Sequence, residues 1–196
     1  WYPEARGDGV RISDVDSSQG AAARLQAPRS LWDATYSEDS WIVNDVLHQP
    51  IALIPSLKAD IAAHYSGTKL SFTEWNYGGG NHVSGALATA DVLGVFGREQ
   101  VDAATIWLLR SSQRERFTLA GLRVFTNYDG AGSTFGDTSV QATTSDVVRV
   151  TAYASDEGLG AHQVIVLVNK SAQSVNAGVR IAAPRTITSM HAYVLD

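Results

Sequence analysis

One acid in this sequence stands in a setting suited to covalent chemistry: Glu74, in Lys69-Leu70-Ser71-Phe72-Thr73-Glu74-Trp75-Asn76-Tyr77-Gly78-Gly79-Gly80-Asn81. A carboxylate held at a strand end can attack an electrophilic carbon or carry a proton. Leu70, Phe72 and Thr73 predict a short buried strand, and the three glycines force a loop directly after it. The carboxyl end of a strand is where a (β/α) barrel places its catalytic groups. Trp75 and Tyr77 offer flat apolar faces that can stack on a sugar ring. Asn76 and Asn81 can hydrogen-bond its hydroxyls. His82 follows the glycine loop and is a candidate cleft residue. The competing reading of Glu74 is a strand-end acid that caps a helix beginning near Ser84.

The neighbouring elements must position this stretch. Residues 83–96 read as a helix whose Gly85, Ala86, Ala90 and Gly94 allow close packing on a sheet, with Gly97 ending it. Residues 101–109 read as the next strand, with Ala103, Ala104 and Thr105 suited to a crowded interior and Trp107 near its carboxyl end. Residues 116–128 read as a helix with Leu119, Leu122 and Phe125 facing inward. Upstream, residues 38–47 read as a helix with Trp41, Ile42 and Val46 on one face; Trp41 is either core or a sugar platform. Pro55 suits the first turn of a second helix, with Leu57, Ile61 and Tyr65 as its buried face and Ser66-Gly67 ending it. Residues 7–30 read as a long polar loop, with Arg24, Arg29 and Asp33 as candidates to tie it down. Glu4 is expected in a rim ion pair with Arg6 or Arg11.

Asp129-Gly130-Ala131-Gly132-Ser133 marks an internal boundary, beyond which the hydrophobic period changes. Residues 147–154 and 162–169 read as strands separated by a turn at Asp156-Glu157-Gly158. Residues 164–168 are apolar at every position, which predicts burial on both faces. Residues 179–183 and 188–195 read as further strands, completing most of one sheet of a β-sandwich.

The stretch Thr73-Glu74-Trp75-Asn76-Tyr77-Gly78-Gly79-Gly80-Asn81-His82 resembles the nucleophile segment of glycoside hydrolase family 44, which comprises bacterial endoglucanases and xyloglucanases. Other stretches match in the same order: Trp1-Tyr2-Pro3-Glu4-Ala5, then Leu31-Trp32-Asp33 leading into Glu38-Asp39-Ser40-Trp41-Ile42, then Val92-Leu93-Gly94-Val95-Phe96-Gly97-Arg98-Glu99 leading into Val101-Asp102-Ala103-Ala104-Thr105. The resemblance implies an α/β plus β fold: the C-terminal part of a (β/α)8 TIM barrel over residues 1–128, then a partial β-sandwich over residues 133–196. A whole barrel takes about 250 residues, so the chain is expected to be a fragment cut at both ends. The implied activity is that of a retaining endo-β-1,4-glucanase, with Glu74 as nucleophile and the acid/base carboxyl on an earlier strand upstream of Trp1. Trp107 matches a tryptophan that stacks on substrate in the family; the other reading is a core tryptophan. The resemblance further implies a β-glucan polysaccharide as partner, no cofactor, a monomer when full length, and secretion, with the signal peptide upstream of this fragment. The rival reading is a non-catalytic carbohydrate-binding protein, which aromatic platforms and a β-sandwich also fit.

Composition narrows the classes. A hydrophobic share of 44% suffices for a sizeable core. The net charge of −5 and the lack of any basic run argue against nucleic acid as a partner. No cysteine is present, so no disulfide or thiolate metal site exists. No apolar run approaches the roughly 20 residues of a membrane span. His48, His64, His82, His162 and His191 are spread without ligand spacing, so no metal ligands are assigned among them.

Overall fold

The computed structural model describes residues 1–108, 114–157, 162–182 and 186–195. The chain is mixed α/β. After an extended stretch over residues 1–5 comes a short antiparallel hairpin, β1 (Arg6–Gly7) and β2 (Val10–Arg11), turned through Asp8-Gly9. Helix α1 (Ser18–Gln26) follows, where a loop was expected. Ser17 caps it, its hydroxyl accepting from the Gly20 N–H at 3.1 Å, and Ala21, Ala22, Ala23, Arg24, Leu25 and Gln26 favour the helical state. The polar residues around this run hide it. A 3-10 turn (Ala27–Leu31) continues it, and Arg29 pairs with Asp33 at 2.7 Å.

The expected helix over residues 38–47 is a π-helical turn, Ile42–Leu47. The wider turn changes which side chains share a face. Val43 goes inward while Trp41 and Val46 stay exposed. Helix α2 (Leu53–His64) is docked through Ile54 in its first turn. Leu57 and Ile61 are only half-buried and Tyr65 is exposed, so the expected apolar face does not form a core contact. The helix packs on the 3-10 turn, and Lys58 in its middle donates to the Glu99 carbonyl.

β3 (Ser71–Trp75) leads through the glycine loop into helix α3 (Val83–Arg98), which runs one residue past Gly97. β4 (Ala103–Ile106) pairs with β3 in parallel. Ala103, Ala104 and Thr105 are exposed, where a crowded interior was expected, and β3 is the one strand paired with β4 among the described residues. Helix α4 (Arg116–Thr126) packs on α3, burying Thr118 and Gly121, with Leu119, Leu122 and Phe125 half-buried. Asp129 accepts from the Ala131 and Ser133 N–H groups at 2.8 and 3.1 Å, closing the boundary loop.

The tail holds one antiparallel sheet in the order β5 (Thr138–Val140), β6 (Val150–Glu157), β7 (His162–Asn169). It lies against α3: a Cβ at Gly94 would sit 2.2 Å from the Tyr153 ring, so only glycine allows this approach. Asp91 on α3, fully buried, accepts from Thr151 Oγ1 at 2.5 Å and Tyr153 O–H at 2.6 Å and faces Lys170 Nζ at 3.5 Å. Val166 and Val168 point into this interface while Leu167 is exposed, so β7 is buried on one face only. Residues 179–182 and 186–195 carry no regular structure, against expectation, because their alternating pattern finds no neighbouring strand to pair with among the described residues. Of the expected turn at Asp156-Glu157-Gly158, Asp156 and Glu157 instead belong to β6, paired with Gln163 and His162, while Gly158 and the expected strand ends at Leu109 and Ala183 lie outside the described residues.

One apolar cluster runs from Ile12, Leu31 and Ile54 through Phe72, Trp75 and Phe96 to Tyr153 and Val166. It is the base on which β3 and β4 are set.

Candidate active site

The direction of Glu74 comes from an irregularity in β3. Phe72 pairs with Ala104 and Trp75 with Ile106, so β3 spends three residues where β4 spends two. An extra residue turns the side chains after it. Phe72 and Trp75 therefore both point into the core, and Thr73 and Glu74 both stay exposed. The inward pair stacks on one ring of α3: Phe72 lies 4.8 Å from Phe96, and Trp75 meets the same ring edge-on at 5.5 Å.

Glu74 is held from the extended stretch over residues 1–5. The main-chain nitrogen of Trp1 donates to the Glu74 carbonyl. The Tyr2 hydroxyl donates to Glu74 Oε2 at 3.1 Å. Glu74 does not cap α3. That place belongs to His82, whose Nδ1 accepts from the Ser84 N–H at 3.2 Å and lies 2.8 Å from its hydroxyl.

The structure separates the residues expected around Glu74 into two groups. Trp107 and Trp41 are open, 55% and 46% exposed. Trp107 lies one residue beyond β4, its N–H donating to the Trp75 carbonyl at 3.1 Å. Trp107 thus stands beside the end of the strand that carries Glu74 and is not a core tryptophan. Trp41 Nε1 donates to Glu4 Oε2 at 3.3 Å, and Glu4 pairs with Arg11 at 2.9 Å. Glu4 stands two residues from Tyr2, whose hydroxyl bonds Glu74.

Trp75, Tyr77 and Asn76 belong to the second group. All are 1% exposed, which corrects the expectation that they meet substrate. Trp75 is the inward residue of the irregular strand. Tyr77 accepts from Trp1 Nε1 at 3.2 Å, and burial pushes its phenol well above the ordinary value. Asn76 has both ends of its amide engaged: Nδ2 donates to the Trp107 carbonyl at 2.7 Å and Oδ1 accepts from the Gly78 N–H at 2.6 Å. It ties the glycine loop to the end of β4 rather than offering itself to a hydroxyl. His82 is half-buried and commits its Nδ1 to the cap.

Beneath the loop lies Arg24, which is fully buried. Its Nε donates to the Tyr77 carbonyl at 3.2 Å and Nη1 to the Ser84 hydroxyl at 2.6 Å. Nη2 donates to the carbonyls of Ile12 and Val15 and pairs with Asp16 at 2.9 Å. Burial lowers its pKa and the Asp16 carboxylate opposes that shift. Gly78 and Gly79 take positive φ of 72° and 69° to pass over this guanidinium. Among the described residues no three His, Cys, Asp or Glu side chains converge on a point that could hold a metal. No helix among them is long and apolar enough to cross a membrane.

Glu74 is thus an exposed carboxylate near the carboxyl end of a parallel strand, bonded by the Tyr2 phenol, with Trp107 paired to the end of the same strand. No family model matches the sequence. The full chain is 42% identical to Endoglucanase A of Paenibacillus lautus, of which it spans 28%. It is 39% identical to Beta-mannanase/endoglucanase A of Caldicellulosiruptor saccharolyticus, of which it spans 16%. Over 86% of its length the backbone matches a family 44 endoglucanase from Clostridium thermocellum, at 49% identity and a TM-score of 0.80, spanning 33% of that chain. A family 44 xyloglucanase from Paenibacillus polymyxa, solved with xyloglucan, matches 89% of it at 44% identity and a TM-score of 0.82, over 34% of that chain. Ordered sequence motifs, identity and backbone agree, and the chain belongs to glycoside hydrolase family 44.

Proposed function

We propose that these residues are the nucleophile-bearing part of a retaining endo-β-1,4-glucanase acting on cellulose-type or xyloglucan chains. Residues 1–128 form the C-terminal part of a (β/α)8 barrel, and residues 133–196 form part of a β-sandwich packed on its α3 side. The observation that carries this reading is Glu74 itself, turned outward by the β3 irregularity and bonded by Tyr2. A retaining glycosidase needs a second carboxyl about 5–5.5 Å from the first. The chain spans only 33% of a solved relative, and the acid/base is assigned to the remainder of the protein. Glu74 attacks the anomeric carbon while that acid protonates the leaving oxygen. The same residue then activates water against the glycosyl ester. The protein works as a monomer without a cofactor, outside the cell where its polymer substrate is found.

The reading is tested by the configuration of the first product. Proton NMR of the full-length enzyme acting on a cello-oligosaccharide is expected to show the β-anomer first, with the α-anomer growing only by mutarotation. An α-anomer formed first means inversion and removes Glu74 as a nucleophile.

Trp107 serves as a sugar platform in this account. Trp107→Ala is expected to weaken oligosaccharide binding by about 1–2 kcal/mol and to change stability by no more than about 0.5 kcal/mol, as befits an exposed side chain. Titration calorimetry beside a denaturant melt separates this from a packing role, for which the stability loss exceeds the binding loss.

A further inference from the structure

The tail sheet grips α3 by one carboxylate. Thr151 pairs with Val168 and Tyr153 with Val166, and Lys170 follows Val168 by one strand period, so all five share the inward face of β6 and β7. Three of them converge on Asp91. The Thr151 and Tyr153 hydroxyls donate to Oδ1 at 2.5 and 2.6 Å, and Lys170 Nζ lies 3.5 Å from Oδ2. Asp91, Thr151, Tyr153 and Lys170 are all buried. Burial lowers the Lys170 pKa, and the Asp91 carboxylate opposes that shift; the charges of Arg29 and Asp33 act on it from the 3-10 turn and the residues after it.

This cluster does what apolar packing does not. Hydrophobic contact has no preferred direction, and where α3 meets the Tyr153 ring it presents Gly94, with no side chain to interlock. Hydrogen bonds are directional, and a satisfied buried network selects one arrangement of its elements. The three donors on Asp91 therefore fix the height and rotation of α3 against the sheet.

Helix α3 in turn supports the chain on both sides of Glu74. Its Phe96 carries the rings of Phe72 and Trp75. At its other end, Ser84 shares the Arg24 guanidinium with the Tyr77 carbonyl. Gly85 lies so close to the glycine loop that a Cβ there would sit 2.1 Å from the Gly79 carbonyl oxygen.

We propose that Asp91 is a positioning residue for the nucleophile: the tail sheet fixes α3 through it, and α3 fixes the strand and the loop on either side of Glu74. This rests on the reading of Glu74 as nucleophile given above. It gives the sheet a part in the reaction that needs no contact with sugar. The effect falls on attack at the anomeric carbon, where a displacement of about 1 Å can cost about a hundredfold in rate. Binding is spared, because Trp41 and Trp107 do not stand on α3.

The test uses the full-length enzyme, well below its melting temperature, and inactivation by an activated 2-fluoro-cellobioside, which isolates the first step. Asp91→Asn keeps the shape of the side chain and sets an amide or a neutral oxygen against the Lys170 ammonium. It is expected to lower the limiting inactivation rate constant about ten- to a hundredfold, with the concentration for half-maximal rate unchanged and the adduct still on Glu74. Tyr153→Phe keeps the ring against Gly94 and removes one donor, so a smaller loss in the same constant is expected, and it decides the matter if Asp91→Asn does not fold. A residue that only stabilises the fold lowers the melting temperature and leaves the rate constant of the folded enzyme alone. Wild-type inactivation rates in the folded variants therefore overturn the role of Asp91 and leave the nucleophile in place. A wild-type enzyme that forms no adduct on Glu74 overturns the nucleophile reading, and this inference with it.

Discussion

Glu74→Gln in the full-length enzyme is expected to lower kcat/KM on β-1,4-glucan by at least about 10³-fold while the protein stays folded. The exchange keeps the shape of the side chain and removes its charge. An amide oxygen does not form a glycosyl ester under these conditions, so the double displacement stops at its first step. The fold has little stake in the carboxylate. Glu74 is exposed, and its side-chain bond is to the Tyr2 hydroxyl, which the amide oxygen can also accept. Stability is expected to change by no more than about 0.5 kcal/mol, the usual range at an exposed site. Steady-state kinetics beside a denaturant melt checks both halves. Turnover close to wild type would take Glu74 out of the mechanism, and a large stability loss would make it a structural acid.

Arg24→Met is expected to destabilise the protein by about 3–5 kcal/mol, because several buried acceptors lose the one guanidinium that serves them, at roughly 1–3 kcal/mol each. The substitution leaves the Tyr77, Ile12 and Val15 carbonyls, the Ser84 hydroxyl and the Asp16 carboxylate without their shared donor. Methionine fills much of the volume and satisfies none of them. The glycine loop rests on the guanidinium: a Cβ at Gly79 would come within 2.6 Å of it. Turnover is therefore expected to fall as well, through displacement of the loop that follows Glu74. Urea unfolding of variant and wild type measures the difference. A loss under about 1 kcal/mol would show that water replaces the guanidinium and that the burial of Arg24 matters little.

The local patterns around Glu74 were legible because they depend on neighbours in sequence. Aromatic and β-branched residues made β3, three glycines made the loop, and small residues let α3 lie against the rest. The side-chain directions were not legible. Trp75 beside Glu74 reads as a cleft aromatic only if β3 is regular, and the extra residue between Phe72 and Trp75 leaves no mark in composition. Asn76 and Tyr77 look like sugar contacts until the carbonyl of Trp107 and the indole of Trp1 are placed beside them. Tyr2 could not be found at all, since its contact spans 72 residues and exists only because the first residues lie alongside β3. Helix α1 was hidden by polar surroundings, although Ser17 and the alanines after it are ordinary helix signals. In the tail, residues 179–183 and 188–195 have strand-like alternation, but a strand is a pairing, and residues 179–182 and 186–195 pair with nothing described.

The most direct test of Glu74 as nucleophile is a peptide map of the full-length enzyme after inactivation by an activated 2-fluoro-cellobioside. The fluorine slows both steps and the good leaving group restores the first, so the glycosyl ester is trapped. The expected result is one sugar adduct, on the tryptic peptide that starts after Lys69, with fragmentation placing it on Glu74 and no adduct on Glu74→Gln. An adduct on any other residue, or an active enzyme that turns over its substrate and is never labelled, would contradict the assignment.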